Sequence, residues 1–294
     1  GAAITDYVVE FSTDGTNFST FADGTSTTTA ATVTGLTNGI LYTFRVSATN
    51  AAGTGAVSAT QTATPRATPN APAAPGVTSG QNSQVPLTWV APADNGSAIT
   101  DYVVQFSANG GTTWQTFDDG VGTGLLTTVT GLTNGTAYVF RVAAVNAAGT
   151  SAFSAASASA TPSTSPSAPL SLAATPGNTQ VSLTWSAPSS TGGSAITDYV
   201  VEFSSNGGSS WSVFADGTST LTNATVTSLT NGTVYTFRAS ATNAKGRGPV
   251  WATATATPRT VPSAPTNLAA TAGNTQVSLT WTAPADNGAA ITDY

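Results

Sequence analysis

Any catalytic chemistry in this chain would have to come from carboxylates. It carries 13 Asp and Glu, seven Lys and Arg, and neither His nor Cys. Ser-His-Asp and Cys-His nucleophiles, imidazole or thiolate metal sites, disulfides and thiol redox chemistry are therefore excluded. One adjacent acidic pair stands out, Asp118-Asp119 in FDDGVGTG, but the corresponding turns read Ala22-Asp23 and Ala215-Asp216. Asp-Gly is turn chemistry, so the pair is expected to shape a turn. Asp94, Asn95 and Gly96, with Asp101 nearby, offer oxygen ligands of the kind Ca²⁺ takes. The matching loop reads Ser189, Ser190, Thr191 and Gly192, which keeps no carboxylate, and a solvated loop is the expectation. No catalytic residue, metal ligand or cofactor is assigned.

A candidate contact loop is Lys245, Arg247 and Trp251 in NAKGRGPVW. Its counterparts, NAAGTGAV at Asn50 and NAAGTSAF at Asn146, carry neither cation nor Trp. A cation beside an aromatic is a common recognition pair. The plainer expectation is an exposed loop with Trp251 packed on a neighbouring domain. Trp114 and Trp211 stand where the first repeat has Phe18. They would either stack on sugar rings or, as edge-strand aromatics more often do, pack within their own domain. Glu10 with Arg45 and Glu202 with Arg238 are expected as exposed cross-strand pairs, with Gln105 and Arg141 in those places in the second repeat. Asn17, Asn95, Asn134, Asn223 and Asn231 fit the Asn-X-Ser/Thr acceptor pattern.

These residues sit in a periodic chain. Trp89, Trp185 and Trp281 recur every 96 residues, and Tyr7, Tyr102, Tyr199 and Tyr294 at 95, 97 and 95. Cutting at the Thr-Pro dipeptides gives partial repeats 1–65 and 259–294 and whole repeats 66–162 and 163–258. Gly1 to Tyr7 and Gly288 to Tyr294 spell the same heptapeptide. The expectation is a window on a longer array, cut within a domain. In the third repeat, strands are expected at 170–175, 180–186, 198–204, 211–214, 223–229, 234–243 and 250–257. Val181, Leu183 and Trp185 alternate with Ser182 and Thr184, which is strand periodicity. Turn signals separate the strands, and no helical period occurs. Seven short strands in about 95 residues predict an all-β sandwich.

The motifs SAPLSLAAT, VSLTW, ITDYVVEF and LTNGTVYTFRASATNAKG resemble a fibronectin type III domain, of the kind found in tandem in bacterial extracellular proteins. Leu229 and Tyr235 resemble that family's tyrosine corner, repeated as Leu36/Tyr42 and Leu132/Tyr138. The resemblance covers the whole chain and implies tandem seven-stranded sandwiches. It leaves function open, because such sandwiches host many roles. The adhesive tripeptide some members carry is absent, since Gly246-Arg247-Gly248 is not followed by Asp.

Composition narrows the rest. Charged residues make up 7% and net charge is −6, so there is no basic patch for nucleic acid. No apolar run approaches the ~20 residues of a membrane span. Cys and Met are both absent, which fits an extracellular or cell-surface setting. The expected function is non-catalytic: a filament, stalk or spacer whose partner is itself, adjacent copies or repeats joining head to tail through the split repeat. The alternatives are the linker region of a secreted polysaccharide-degrading enzyme, and an adhesin with a cell-surface or polysaccharide ligand.

Overall fold

The computed structural model describes residues 1–250 and 253–294. Among them every regular element is a β-strand. The first repeat carries β1 (Ile4–Ser12), β2 (Ser19–Thr20), β3 (Tyr42–Asn50), β4 (Gly53–Thr54) and β5 (Gln61–Ala63). The second carries β6 (Gly76–Val77), β7 (Gln84–Thr88), β8 (Ile99–Ser107), β9 (Gln115–Phe117), β10 (Leu126–Thr130), β11 (Val139–Asn146) and β12 (Gly149–Thr150). The third carries β13 (Leu170–Pro176), β14 (Val181–Ser186), β15 (Ile196–Ser204), β16 (Ser212–Val213), β17 (Asn223–Val226), β18 (Tyr235–Asn243), β19 (Gly246–Arg247) and β20 (Thr253–Ala256). A last hairpin is β21 (Thr266–Gly273) with β22 (Gln276–Thr282). The chain divides into two compact bodies, Gly1–Thr78 with Pro86–Val129 and Ala137–Ala160, and Ser79–Val85 with Thr130–Thr136 and Thr161–Tyr294.

The third repeat shows how the alternation becomes a fold. Along β14, Val181, Leu183 and Trp185 are buried while Ser182, Thr184 and Ser186 are exposed. The strand sits in the sheet β13-β14-β17, and a second sheet runs β16-β15-β18-β19 with β20 beside β18. Between the sheets, Val181, Leu183, Trp185, Tyr199, Val201, Val226, Leu229, Tyr235 and Phe237 form one buried cluster. Trp185 meets Tyr199 edge-on at 5.5 Å, a geometry aromatic pairs favour. The Tyr235 hydroxyl accepts from Thr230 N at 3.2 Å, and Tyr42 does the same for Thr37 at 3.0 Å; these are the expected corners. The loop expected between the sixth and last strands contains the short β19. Position 251, within the expected last strand, lies outside the described residues.

The second repeat's strands order as β10-β7-β6 and β12-β11-β8-β9. Its final segment differs from a plain strand. Ser151, Ser154 and Ser157 recur every third residue, and all three are buried. Their N–H groups donate to Ala144, Val142 and Phe140 carbonyls. Their hydroxyls accept from the N–H groups of those same residues and donate to the carbonyls of Ala152, Ala155 and Ala158. Serine hydroxyls thus complete backbone pairing that a period-two strand would make directly.

The first repeat has one sheet only, β2-β1-β3-β4 with β5 beside β3. Residues 27–34, which match β10 and β17 in sequence, form no strand. They wall an open trough of about 490 Å³ lined by Tyr7, Val9, Ala30, Val33, Phe44 and Val46, among others. The β21–β22 hairpin is the reverse case, with Val277, Leu279 and Trp281 exposed at 58%, 53% and 41%. Because Trp185 is buried and Trp281 is not, their deletions separate. Trp185→Ala should destabilise the third repeat by about 3–5 kcal/mol, and Trp281→Ala by less than about 1 kcal/mol. Equilibrium denaturation of both variants checks this.

Candidate functional site

The residues singled out by type do not converge on one free surface. Arg247 turns back over its own sheet, bonding Glu202 and the Ser240 hydroxyl. Lys245 Nζ lies over the backbone of Gly80, where a β-carbon on that glycine would collide with it. Trp251 lies outside the described residues. Asp118 accepts from Gly120 N at 3.2 Å, which is a turn role. Burial pushes the neighbouring Asp119 carboxyl up, partly offset by its bond to Thr127, with Asp101 and Asp118 adding to the upward shift. Asp101 accepts from Gly122 N at 3.0 Å. Asp6 and Asp198 make the same strap to Ser26 and Ser219, so the aspartate of each ITDY holds the connection after its hairpin.

The cross-strand ion pairs are in register, Glu10 opposite Arg45 and Glu202 opposite Arg238. They are less exposed than expected. Arg45 lies 3.8 Å above Phe18, Arg238 4.0 Å above Trp211, and Arg141 between Trp114 at 4.2 Å and Phe153 at 4.3 Å. Trp114 and Trp211 therefore each have a guanidinium on a ring face rather than two faces open to a sugar. Glu202 is buried at 7% exposure. That burial pushes its carboxyl up, but hydrogen bonds and charge from Arg238 and Arg247 outweigh it and hold the group below its ordinary value.

The arrangement that recurs is at the joints. Gly39, Gly135 and Gly232 follow the tyrosine-corner loop of one repeat, and Gly96, Gly193 and Gly288 lie in the first long loop of the next. Each pair meets backbone to backbone. A β-carbon on Gly96 or Gly193 would collide with the partner's backbone nitrogen, and one on Gly288 would stand 2.6 Å from Gly232 N. All six glycines are left-handed, with φ between +82° and +88°, a region open to glycine and strained for other residues. The N–H groups of Gly39, Gly135 and Gly232 donate to the carbonyls of Pro65, Pro162 and Pro258, each at 2.9 Å.

The linker after each proline is strapped to the following loop. Ala67, Thr164 and Thr260 donate to the carbonyls of Asn95, Gly192 and Asn287. Asn70, Ser167 and Ser263 donate to Ala93, Ser190 and Ala285. Buried Asn146 adds side-chain bonds to the Ala67, Asp94 and Ser97 carbonyls, and Asn243 to those of Thr164 and Thr191. The Asp94-Asn95-Gly96 loop is thus joint machinery: Asp94 accepts from Gly96 N, and Asn95 donates to the Thr68 carbonyl. Gly192 replaces Asn95 without loss, because both hold a left-handed φ, +72° and +53°. The acceptor-pattern residues Asn134 and Asn231 are similarly engaged, each donating to an asparagine of the first turn of its repeat.

Sandwiches in series, closed by tyrosine corners and joined through backbone contacts, define a tandem all-β repeat protein. The chain belongs to the fibronectin type III family, whose model, Fibronectin type III domain, matches residues 1–64, 70–160 and 166–257. Among curated proteins it is similar to Exoglucanase B of Cellulomonas fimi, 35% identical over 241 residues, 76% of this chain and 20% of that protein. It is also similar to Chitinase A1 of Niallia circulans, 36% identical over 144 residues, 46% of this chain and 19% of that one. The chain thus spans about one fifth of the length of these relatives. Among solved structures it is similar to the FN1–FN3 domains of chicken CNTN1, at 21% identity and a TM-score of 0.32, covering 88% of this chain and 90% of that one.

Two predictions follow from this geometry. Gly193→Ala combines backbone strain with a collision, whereas Gly217→Ala, at φ +78° with open space around it, adds strain alone. Both should lose about 1–2 kcal/mol, but only Gly193→Ala should broaden the distance distribution between spin labels placed across the joint. For Glu202, a folded value below the ordinary 4.5 means stability present above that pH and lost as pH falls through the folded value. The native chain should exceed Glu202→Gln in unfolding free energy at neutral pH. The difference should shrink as pH drops below about 4.5 and vanish near pH ~2, as followed by denaturant unfolding at each pH.

Proposed function

We propose that this chain is a non-catalytic extracellular spacer, holding whatever it connects at a defined separation. The observation that carries this reading is the joint, repeated three times with the same glycine pair and the same glycine N–H to proline carbonyl bond at 2.9 Å. A flexible tether needs no such contact, and its ends wander as the square root of its length. A strapped joint removes that freedom. The low charge, 7% of residues, suits a surface with little electrostatic steering of its own.

The similarity to an exoglucanase and a chitinase supports a more specific version, a spacer region of a secreted polysaccharide-degrading enzyme. The adhesin reading draws less support, since Lys245 is placed over Gly80 and Arg247 bonds Glu202. The test fuses fluorescent donor and acceptor proteins to the two ends and measures single-molecule energy transfer. A distribution much narrower than that of a Gly/Ser linker of equal length is expected. An equally broad one overturns the reading.

A further inference from the structure

The third repeat shows how two particular stretches fit together. QVSLTW (Gln180 to Trp185) pairs with NATV (Asn223 to Val226), with Val181 opposite Val226, Ser182 opposite Thr225 and Leu183 opposite Ala224. The same stretches occur elsewhere in the chain without that pairing. QVSLTW recurs as Gln276 to Trp281 in β22, whose sheet holds only β21. AATV (Ala30 to Val33) walls the open trough of the first repeat. Val181 and Leu183 are fully buried, whereas Val277 and Leu279 are more than half exposed. The trough in turn exposes the side of Tyr7, Val9 and Phe44 that their equivalents Tyr199, Val201 and Phe237 bury in the third repeat.

We propose that the trough of one copy takes the β21–β22 hairpin of a second copy, with Val277 opposite Val33, Ser278 opposite Thr32 and Leu279 opposite Ala31. The hairpin residues 266–282 carry no charge, and Asp23 is the one charged residue named in the trough lining. Docking therefore desolvates few ions. One contact must be exchanged. Trp281 now lies 5.8 Å from Tyr294, as Trp185 lies 5.5 Å from Tyr199. Tyr294 and Tyr7 end identical GAAITDY heptapeptides, so Tyr7 replaces Tyr294 like for like. The edge strand β22 also gains the backbone partners an open edge lacks.

This inference is independent of the spacer reading, which rests on the joints. Its test uses the full chain, which has no cysteine. One preparation carries Thr32→Cys and another Ser278→Cys, at positions whose counterparts Thr225 and Ser182 face solvent. On mixing and mild oxidation a disulfide-linked heterodimer is expected. Pairing Thr32→Cys with the out-of-register Thr280→Cys should give about tenfold less. Sedimentation of the unsubstituted chain should show reversible association, weakened about tenfold or more by Leu279→Asp, which would bury a charge in the trough. Equal cross-linking from both pairs, or a monomer at every concentration, overturns the proposal and leaves the joints untouched.

Discussion

The closure of one sheet face over another governs what each part of this chain can be. In the third repeat Val181, Leu183 and Trp185 from one sheet meet Tyr199, Val201 and Phe237 from the other. Each large apolar side chain so buried contributes about 1.5–3 kcal/mol. Where both faces are present the strands form in full. In the first repeat the second face is absent, and its effect reaches beyond the missing strands. Ala30 to Val33 is not a strand there, although the near-identical Ala224 to Val226 is. Local β-propensity was the same in both places, so the difference lies in the absent neighbour that would have paired it.

The joints depend on that closure. The tyrosine corner holds the loop that follows it, with the Tyr235 hydroxyl on Thr230 N. Two residues on, Gly232 N donates to the Pro258 carbonyl. A buried aromatic in the core thus fixes the loop whose glycine makes the joint. The prolines contribute their carbonyl oxygens at least as much as their fixed φ. The stiffness expected of a Pro-rich linker is here carried by hydrogen bonds to the next repeat's loop.

Strand positions were legible because burial on one face writes an alternating pattern into the residues, as in Val181-Ser182-Leu183-Thr184-Trp185. The Glu202–Arg238 pairing was legible because register follows from strand order. The joints were not, for a specific reason. Asn134-Gly135 and Asn95-Gly96 read as ordinary turns, and a turn glycine looks the same whether it faces solvent or another backbone. The signal was present in the periodic recurrence of both glycines while loop composition around them changed from Ala-Asp-Asn-Gly to Ser-Thr-Gly-Gly. The serine ladder at Ser151, Ser154 and Ser157 was hidden because a three-residue period matches neither strand nor helix. Arg247 was read as a surface cation because sequence does not reveal that Glu202 lies beneath it.

The cation–aromatic stacks show why so weakly charged a protein keeps its arginines where it does. Arg45, Arg141 and Arg238 occupy one register position on equivalent strands, each over an aromatic from the short neighbouring strand. Their partners vary between Glu10, Gln105 and Glu202. The stack persists when the carboxylate becomes an amide, so ion pairing is not what the three repeats share. A guanidinium is weakly hydrated, planar, and lies flat on a ring while its edge still donates hydrogen bonds. It covers an edge-strand aromatic that would otherwise be open to solvent, and does so without lengthening the strand. The outer sheet face is thereby finished by the same residues in each repeat, and the variation that could distinguish one repeat from another is left to the loops.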